Sequence, residues 1–153
     1  MIDRTQLSNL IDKATGAIGM QSPAATALIL GTAAQESRMG CFMRQLGGGP
    51  ALGIFQMEPR TFEYHAKYLN KRPALKAAIL EFCGVTELKA DFLEWNNAFA
   101  ACMTRVHYYR IRKPLPSVDD VAGMAAYWKK YYNSVLGKGT EIEFVKNYYL
   151  YVL

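Results

Sequence analysis

Apolar residues recur every three or four positions along most of the chain, and this spacing places them on one face of an α-helix. After Pro59, for example, Phe62, His65, Ala66 and Leu69 have this spacing. The pattern predicts seven helices: Asp3–Ile18, Ala24–Ser37, one from Pro59 through Leu69, one from Pro73 to Gly84, Phe92–Arg112, one from Ser117 to Tyr132, and one from Thr140 to the C-terminus.

Several of these helices begin with recognisable capping signals. Ser22-Pro23 is an N-cap residue followed by proline at the first helical position. Ser117–Asp120 and Thr140–Glu143 each place a hydroxyl at the N-cap and an acid three residues later, as in a capping box. The longest predicted helix carries one apolar stripe, formed by Phe92, Trp95, Phe99, Met103 and Val106.

The segment from Arg38 to Glu58 lacks helical spacing and is rich in glycine. A small β-hairpin is an open alternative there, although no β-branched run alternates cleanly with polar residues. Gly47-Gly48-Gly49-Pro50 lacks the Gly-Lys-Ser/Thr ending of a phosphate loop, and we interpret it as a lip over a groove. We therefore predict a compact, mostly α protein of about seven or eight helices, folded as a single domain over residues 1–153, with a functional loop at 38–58.

Composition narrows the class of protein. With 51% hydrophobic and 20% charged residues, the chain of 153 residues is unlike a disordered protein and can bury a core. Its most apolar stretch, Ala24–Ala34, is far shorter than a membrane span requires. The N-terminus shows no basic segment followed by an apolar run, so we expect no secretory signal.

The cysteines and histidines give no sign of a metal site. The three cysteines are widely spaced, which favours reduced thiols. Neither His65 nor His107 has metal-ligand spacing, so we expect no metal and no cofactor.

The net charge of +5 suggests an anionic partner. Nucleic acid, anionic lipid and an acidic cell-wall polymer are all negatively charged and are therefore all compatible with this net charge. The basic residues interleave with aromatics in two clusters, Arg105, Arg110, Arg112 and Lys113, then Lys129, Lys130 and Lys138. A nucleic-acid surface has this appearance, but a solvated helix face explains it as well, and we favour that interpretation for Lys129 and Lys130.

Glu36 is the candidate for acid–base chemistry. On a helix it shares a face with Ile29, Thr32 and Ala33, and it lies at the negative end of the helix dipole. Both surroundings disfavour the ionised carboxylate and raise the pKa, as a general acid near neutral pH requires. From these residues alone, the alternative is a glutamate that faces water or pairs with Arg38.

Three motifs in order resemble the lysozyme-like superfamily, in its goose-type lysozyme and lytic transglycosylase branch. Glu36-Ser37 ends an apolar helix, and Gly53-Ile54-Phe55-Gln56 with Pro59 downstream is similar to the Gly-Leu-Met-Gln-like segment of that branch. The third element has two parts: Asn97–Ala101 occupies the place of the family's core helix, and Tyr131-Tyr132-Asn133-Ser134 resembles its Tyr-Asn motif, with Gly137 displaced. The likeness spans roughly residues 24–133.

The resemblance implies a lysozyme-like fold and cleavage of the β-1,4 bond between N-acetylmuramic acid and N-acetylglucosamine in peptidoglycan. Glu36 would protonate the departing oxygen, and Ser37 would orient Glu36. Gly53 belongs to the motif in which Gln56 and backbone groups around Ile54 and Phe55 would bind the sugar. A further set of residues would support the acid or the developing charge: Tyr132 or Tyr127, with Asn133 beside them.

The catalytic carboxylates and the product stay open at this point. Most glycosidases use two carboxylates, whereas in this branch a single Glu often acts first as acid and then as base. Glu58 is the possible second carboxylate, but we favour the interpretation that its charge stabilises the start of the helix at Pro59. The intermediate would be captured by water or by the sugar's own 6-hydroxyl.

Together these features resemble a phage or prophage endolysin. Such a protein would be a monomer kept in the host cytoplasm until a holin-type partner releases it to the cell wall in the periplasm, drawn by the anionic envelope surface. One alternative is a lysozyme-like module that binds glycan, in a virion for example, without cutting it. The other alternative is a basic protein that binds nucleic acid. We do not favour it, and we expect no nucleic-acid partner.

Overall fold

The computed structural model describes residues 1–134 and 136–153 of the chain. Within them the protein is mostly helical, as predicted, and has no sheet. The α-helices are α1 (Arg4–Ala17), α2 (Pro23–Ser37), α3 (Pro59–Asn70), α4 (Pro73–Cys83), α5 (Phe92–Trp95), α6 (Asn97–Tyr109), α7 (Val121–Trp128) and α8 (Glu141–Tyr151). A π-helical turn, Lys129–Asn133, follows α7 directly.

Two of the three capping signals lie where the sequence predicts them. The Ser22 side chain accepts a hydrogen bond from the Ala25 amide, and Thr140 forms a complete capping box with Glu143. The prediction for Ser117 was wrong, because α7 begins three residues later, with Asp120 as its N-cap. The Asp120 carboxylate accepts from the Gly123 amide at 2.8 Å, in space that a Cβ at Gly123 would fill.

The predicted helix Phe92–Arg112 is two helices, since Asn96 interrupts it. Asn96 has extended backbone, and its side chain accepts from the Phe99 amide at 3.0 Å while donating to the Cys83 carbonyl at 3.1 Å. An asparagine side chain that accepts a hydrogen bond from a free amide at the start of a helix favours a new helix start, and so prevents the preceding helix from continuing. As a consequence Trp95 leaves the apolar stripe and is 65% exposed.

Helix α2 lies at the centre of the molecule and packs against α1, α6, α7 and α8. Its buried residues include every position from Leu28 to Ala34, which is typical of a helix surrounded by others. Gly31 permits the approach of α8, because a Cβ there would lie 2.5 Å from the Phe144 ring. The last turn of this central helix holds Glu36 and Ser37.

The glycine-rich loop 38–58 contains isolated antiparallel bridges, Arg44 with Leu52 and Leu52 with Met57, in place of a regular hairpin. Gly53 brings this loop against the chain before α6. Its φ is +77°, and a Cβ would lie 1.8 Å from the Leu93 carbonyl oxygen. The loop is therefore held close to the helical core by a residue that must be glycine.

None of the helices in the described part of the chain has the length and apolar character that crossing a membrane requires. The cysteines Cys41, Cys83 and Cys102 are free thiols.

We predict that Gly53→Ala destabilises the protein more than Gly47→Ala does. Both positions have φ near +80°, so both variants carry the cost of a left-handed alanine, about 1–2 kcal/mol. Only at Gly53 does the new methyl meet a backbone carbonyl, whereas nothing lies within 4 Å at Gly47. We expect an additional loss of about 2 kcal/mol at Gly53, measured by urea denaturation. Equal losses would contradict the close approach described above.

Candidate active site

A cleft of about 680 Å³ opens beside the end of α2. The loop 38–58 contributes one wall and residues 132–134 and 136–139 contribute the other. Glu36 lines this cleft, together with Glu58 at the start of α3. The cleft therefore brings together the helix end, the glycine-rich loop and the Tyr-Asn segment, which are distant in the sequence.

Residue Glu36 is half-buried as a whole, and its carboxyl group accepts a hydrogen bond from the indole Nε1 of Trp128 at 2.8 Å. Burial raises the pKa of Glu36 from 4.5 to about 7, and the hydrogen bond from Trp128 opposes this shift in part. This is the direction that the apolar helix face predicts. A carboxyl group with such a pKa is partly protonated at neutral pH and can give up a proton to a substrate.

Trp128 is the residue at this site that sequence reasoning missed. Its ring is fully buried and packs against Phe144 with ring centroids 5.4 Å apart. A buried indole needs an acceptor for its N–H, so the sequence did contain a signal that Trp128 has a polar partner. The identity of that partner, 92 positions earlier in the chain, depends on the packing of α7 against α2.

Ser37 joins α2 to the glycine-rich loop. Its hydroxyl donates to the Ile54 carbonyl at 2.6 Å and accepts from the Gly40 amide at 2.8 Å. These partners are backbone groups, so Ser37 holds the end of α2 against the loop. Ile54 and Phe55 are buried, and the carbonyl of Phe55 accepts from Tyr132 at 2.7 Å. Both carbonyls are thus engaged within the protein.

Of the two candidate tyrosines, Tyr132 lies in the cleft and Tyr127 does not. The buried Tyr127 donates its hydroxyl to the Lys113 carbonyl at 3.0 Å. Tyr132 packs against His107, with ring centroids 4.9 Å apart. Burial and the nearby charge of Glu36 raise the pKa of Tyr132. Tyr132 is therefore a neutral phenol that holds the loop wall of the cleft in place.

Gln56, Asn133 and Glu58 also line the cleft. Gln56 has a left-handed backbone with φ of +48°, and its side chain donates to the Gly53 carbonyl at 2.8 Å. Glu58 is exposed and is the N-cap residue of α3, without a side-chain capping bond. The structure therefore places these three polar side chains around the same opening as Glu36.

Lys129 is not on a solvated face, contrary to the prediction. Its ammonium group is half-buried and donates three hydrogen bonds, to Asn133 Oδ1 at 2.8 Å and to the carbonyls of Gly137 and Gly139 at 2.7 Å each. Three acceptors match the three donors of an ammonium group. Lys129 consequently ties the π-helical turn to the segment that forms the second wall of the cleft, whereas Lys130 is exposed.

Comparisons with protein-family models, with curated proteins and with solved structures find no match to this chain. Within residues 1–134 and 136–153, no group of three or more His, Cys, Asp and Glu side chains could hold a metal ion.

We predict that Trp128→Phe raises the pKa of Glu36 above its wild-type value of about 7, because the indole N–H stabilises the ionised carboxylate. Phenylalanine keeps an aromatic ring against Phe144 while removing the donor. The measurement is an NMR titration of the Glu36 side-chain carboxyl carbon. Trp95→Phe is the matched control, since Trp95 is exposed and lies outside the cleft. An unchanged or lower pKa in Trp128→Phe would contradict the assigned hydrogen bond.

Proposed function

We propose that this protein is a muramidase that cleaves the β-1,4 bond between N-acetylmuramic acid and N-acetylglucosamine in peptidoglycan, with Glu36 as the general acid. The observation that carries the proposal is that Glu36, one of two glutamates that line the open cleft, has a pKa raised to about 7 by burial. The resemblance of Glu36-Ser37, Gly53–Gln56 and Tyr132-Asn133 to the lysozyme-like superfamily supports it, because all three motifs meet at this cleft or support its walls.

The proposed reaction has two proton transfers. Glu36 first protonates the glycosidic oxygen, and the bond from that oxygen to the anomeric carbon breaks. The carboxylate left behind accepts a hydrogen bond from Trp128, which favours its ionised form. It then takes a proton from the group that attacks the anomeric carbon, either water or the 6-hydroxyl of the same sugar. Glu36 ends the cycle protonated, as it began.

The rest of the cleft suits a polar, flat-faced substrate. The amides of Gln56 and Asn133 line the same cleft as Glu36, and amide groups can form hydrogen bonds with acetamido and hydroxyl substituents. Phe42, Leu46 and Leu136 add apolar surface at the walls, where the apolar faces of sugar rings can pack. Glu58 lines the same cleft and is the candidate for a second carboxylate.

We further propose that the protein acts as a phage or prophage endolysin on the wall of the cell that makes it, after release by a membrane-permeabilising partner. The net charge of +5 supports this role, since it attracts the protein to an anionic envelope.

We predict that Glu36→Gln lowers the rate of peptidoglycan cleavage by about 100-fold or more, because glutamine cannot supply the proton. The assay is loss of turbidity of purified sacculi, with mass spectrometry of the released fragments. Glu63→Gln is the control, an exposed glutamate on α3 that does not line the cleft. Glu58→Gln in the same assay tests the second carboxylate.

Equal clearing by the wild type and Glu36→Gln would remove Glu36 from its role. No clearing by the wild type at any pH would contradict the muramidase and favour a module that binds glycan without cutting it. Fragments with an anhydro sugar identify capture by the 6-hydroxyl, and reducing ends identify capture by water.

A further inference from the structure

A second pocket, of about 420 Å³, lies between α3 and α6 and adjoins the cleft. Thr61 and His107 line both cavities. The pocket and the cleft therefore lie side by side and share part of their walls. None of the three motifs includes it.

The charged groups of this pocket are cationic. Arg60 and Arg110 line it, and no Asp or Glu is among the described residues that do so. The ion pair found in the described part of the chain is Arg44 with Glu94, so neither pocket arginine has a carboxylate partner there. Two arginines that share a pocket without an internal counter-ion favour an anionic ligand.

The contacts of Arg110 leave part of its guanidinium group without a hydrogen-bond partner among the described residues. The group lies over the rings of Tyr64 and Tyr68, at 4.1 and 4.3 Å from their centroids. Both of its hydrogen bonds, to the Tyr64 carbonyl and to His65 Nδ1, come from Nη1. The Nε and Nη2 edge has no hydrogen-bond partner among the described residues. That edge can contact both oxygens of a carboxylate at once.

The two histidines beside Arg110 carry no charge. Arg110 can only donate and the Tyr131 carbonyl can only accept, so the chain of hydrogen bonds between them has one direction. His65 Nε2 donates to His107 Nδ1 at 2.9 Å, and His107 Nε2 donates to the Tyr131 carbonyl at 2.6 Å. Burial and neighbouring groups lower the pKa of His65 to about 3 and also lower that of His107. The positive charge of the pocket therefore belongs to its arginines.

We propose that this pocket is a subsite for a carboxylate on the side branch of the muramic acid residue, bound by Arg110 and Arg60. This inference rests on the proposed function. In peptidoglycan such a carboxylate belongs to the peptide, or to the lactyl group on a muramic acid residue from which the peptide has been removed. Either group is attached to the sugar that lies in the cleft. A pocket beside the cleft, sharing Thr61 and His107 with it, is therefore in a position to bind that group.

The test compares the binding of three ligands to Glu36→Gln, which keeps the substrate intact, by calorimetry. The first is a peptidoglycan tetrasaccharide with its peptides, the second is the same fragment after an amidase has removed them and left the lactyl carboxylates, and the third is an N-acetylglucosamine tetramer without carboxylates. We expect at least one carboxylate ligand to bind about tenfold more tightly than the tetramer. The first two ligands distinguish the peptide from the lactyl group.

The added variants Arg110→Gln and Arg60→Gln are each expected to reduce this advantage about fivefold or more, and added salt is expected to weaken it. Arg60→Gln keeps the test valid if Arg110→Gln disturbs the fold, since Arg60 is exposed and makes no described side-chain hydrogen bond. The exposed Arg112, outside the pocket, provides the control Arg112→Gln.

Equal affinity for all three ligands, or an advantage that survives both pocket variants, would overturn the subsite. If the wild type still clears sacculi in that case, the muramidase proposal stands without it. If the wild type clears no sacculi, the proposed function fails, and the subsite that rests on it fails as well.

Discussion

Burial of the Glu36 carboxyl at the end of the central helix is the constraint around which the cleft is built. A carboxylate in such a position loses its hydration, and the fold offsets part of this cost with one hydrogen bond, from the Trp128 indole. That bond requires α7 to pack against α2, and the ring of Trp128 is in turn fixed by Phe144 on α8. Three helices are therefore arranged around one titratable group.

The walls of the cleft are fixed by polar contacts between segments that are irregular by themselves. Ser37 and Tyr132 each donate a hydroxyl to a carbonyl of the glycine-rich loop, and Gly53 lets this loop approach the Leu93 backbone. On the other side, Lys129 donates to Asn133 within the π-helical turn and to the carbonyls of Gly137 and Gly139 after it. The result is a cleft whose two sides are both connected to the helix that carries Glu36.

The helical architecture could be predicted because it depends on local signals. The caps at Ser22 and Thr140 and the apolar spacing in α3 act within a few residues. The errors arose where two local signals compete, as at Asn96, which ends one helix by capping the next, and at Asp120, which replaces Ser117 as the cap.

The candidate site was less predictable, because its contacts join distant parts of the chain. Glu36 and its raised pKa follow from the apolar face of its own helix, which the sequence shows. Trp128 could not be assigned as its partner without the packing of α7 on α2. Lys129 resembles a solvated surface lysine in sequence, and only the return of the chain at Gly137 and Gly139 gives it acceptors. The pairing of His65 with His107 likewise depends on the contact between α3 and α6.

The central claim, that folding raises the pKa of Glu36, is tested most directly by the pH dependence of stability in the wild type and Glu36→Gln. The pKa is 4.5 in the absence of burial and about 7 in the folded protein, so the folded state binds more protons between these values. Stability from this group is then fully present below about pH 4.5 and is lost as the pH rises through about 7. The free energy of unfolding of the wild type, relative to Glu36→Gln, should fall by about 3 kcal/mol from about pH 4 to about pH 8. A difference between the two proteins that stays constant over this range would contradict the account.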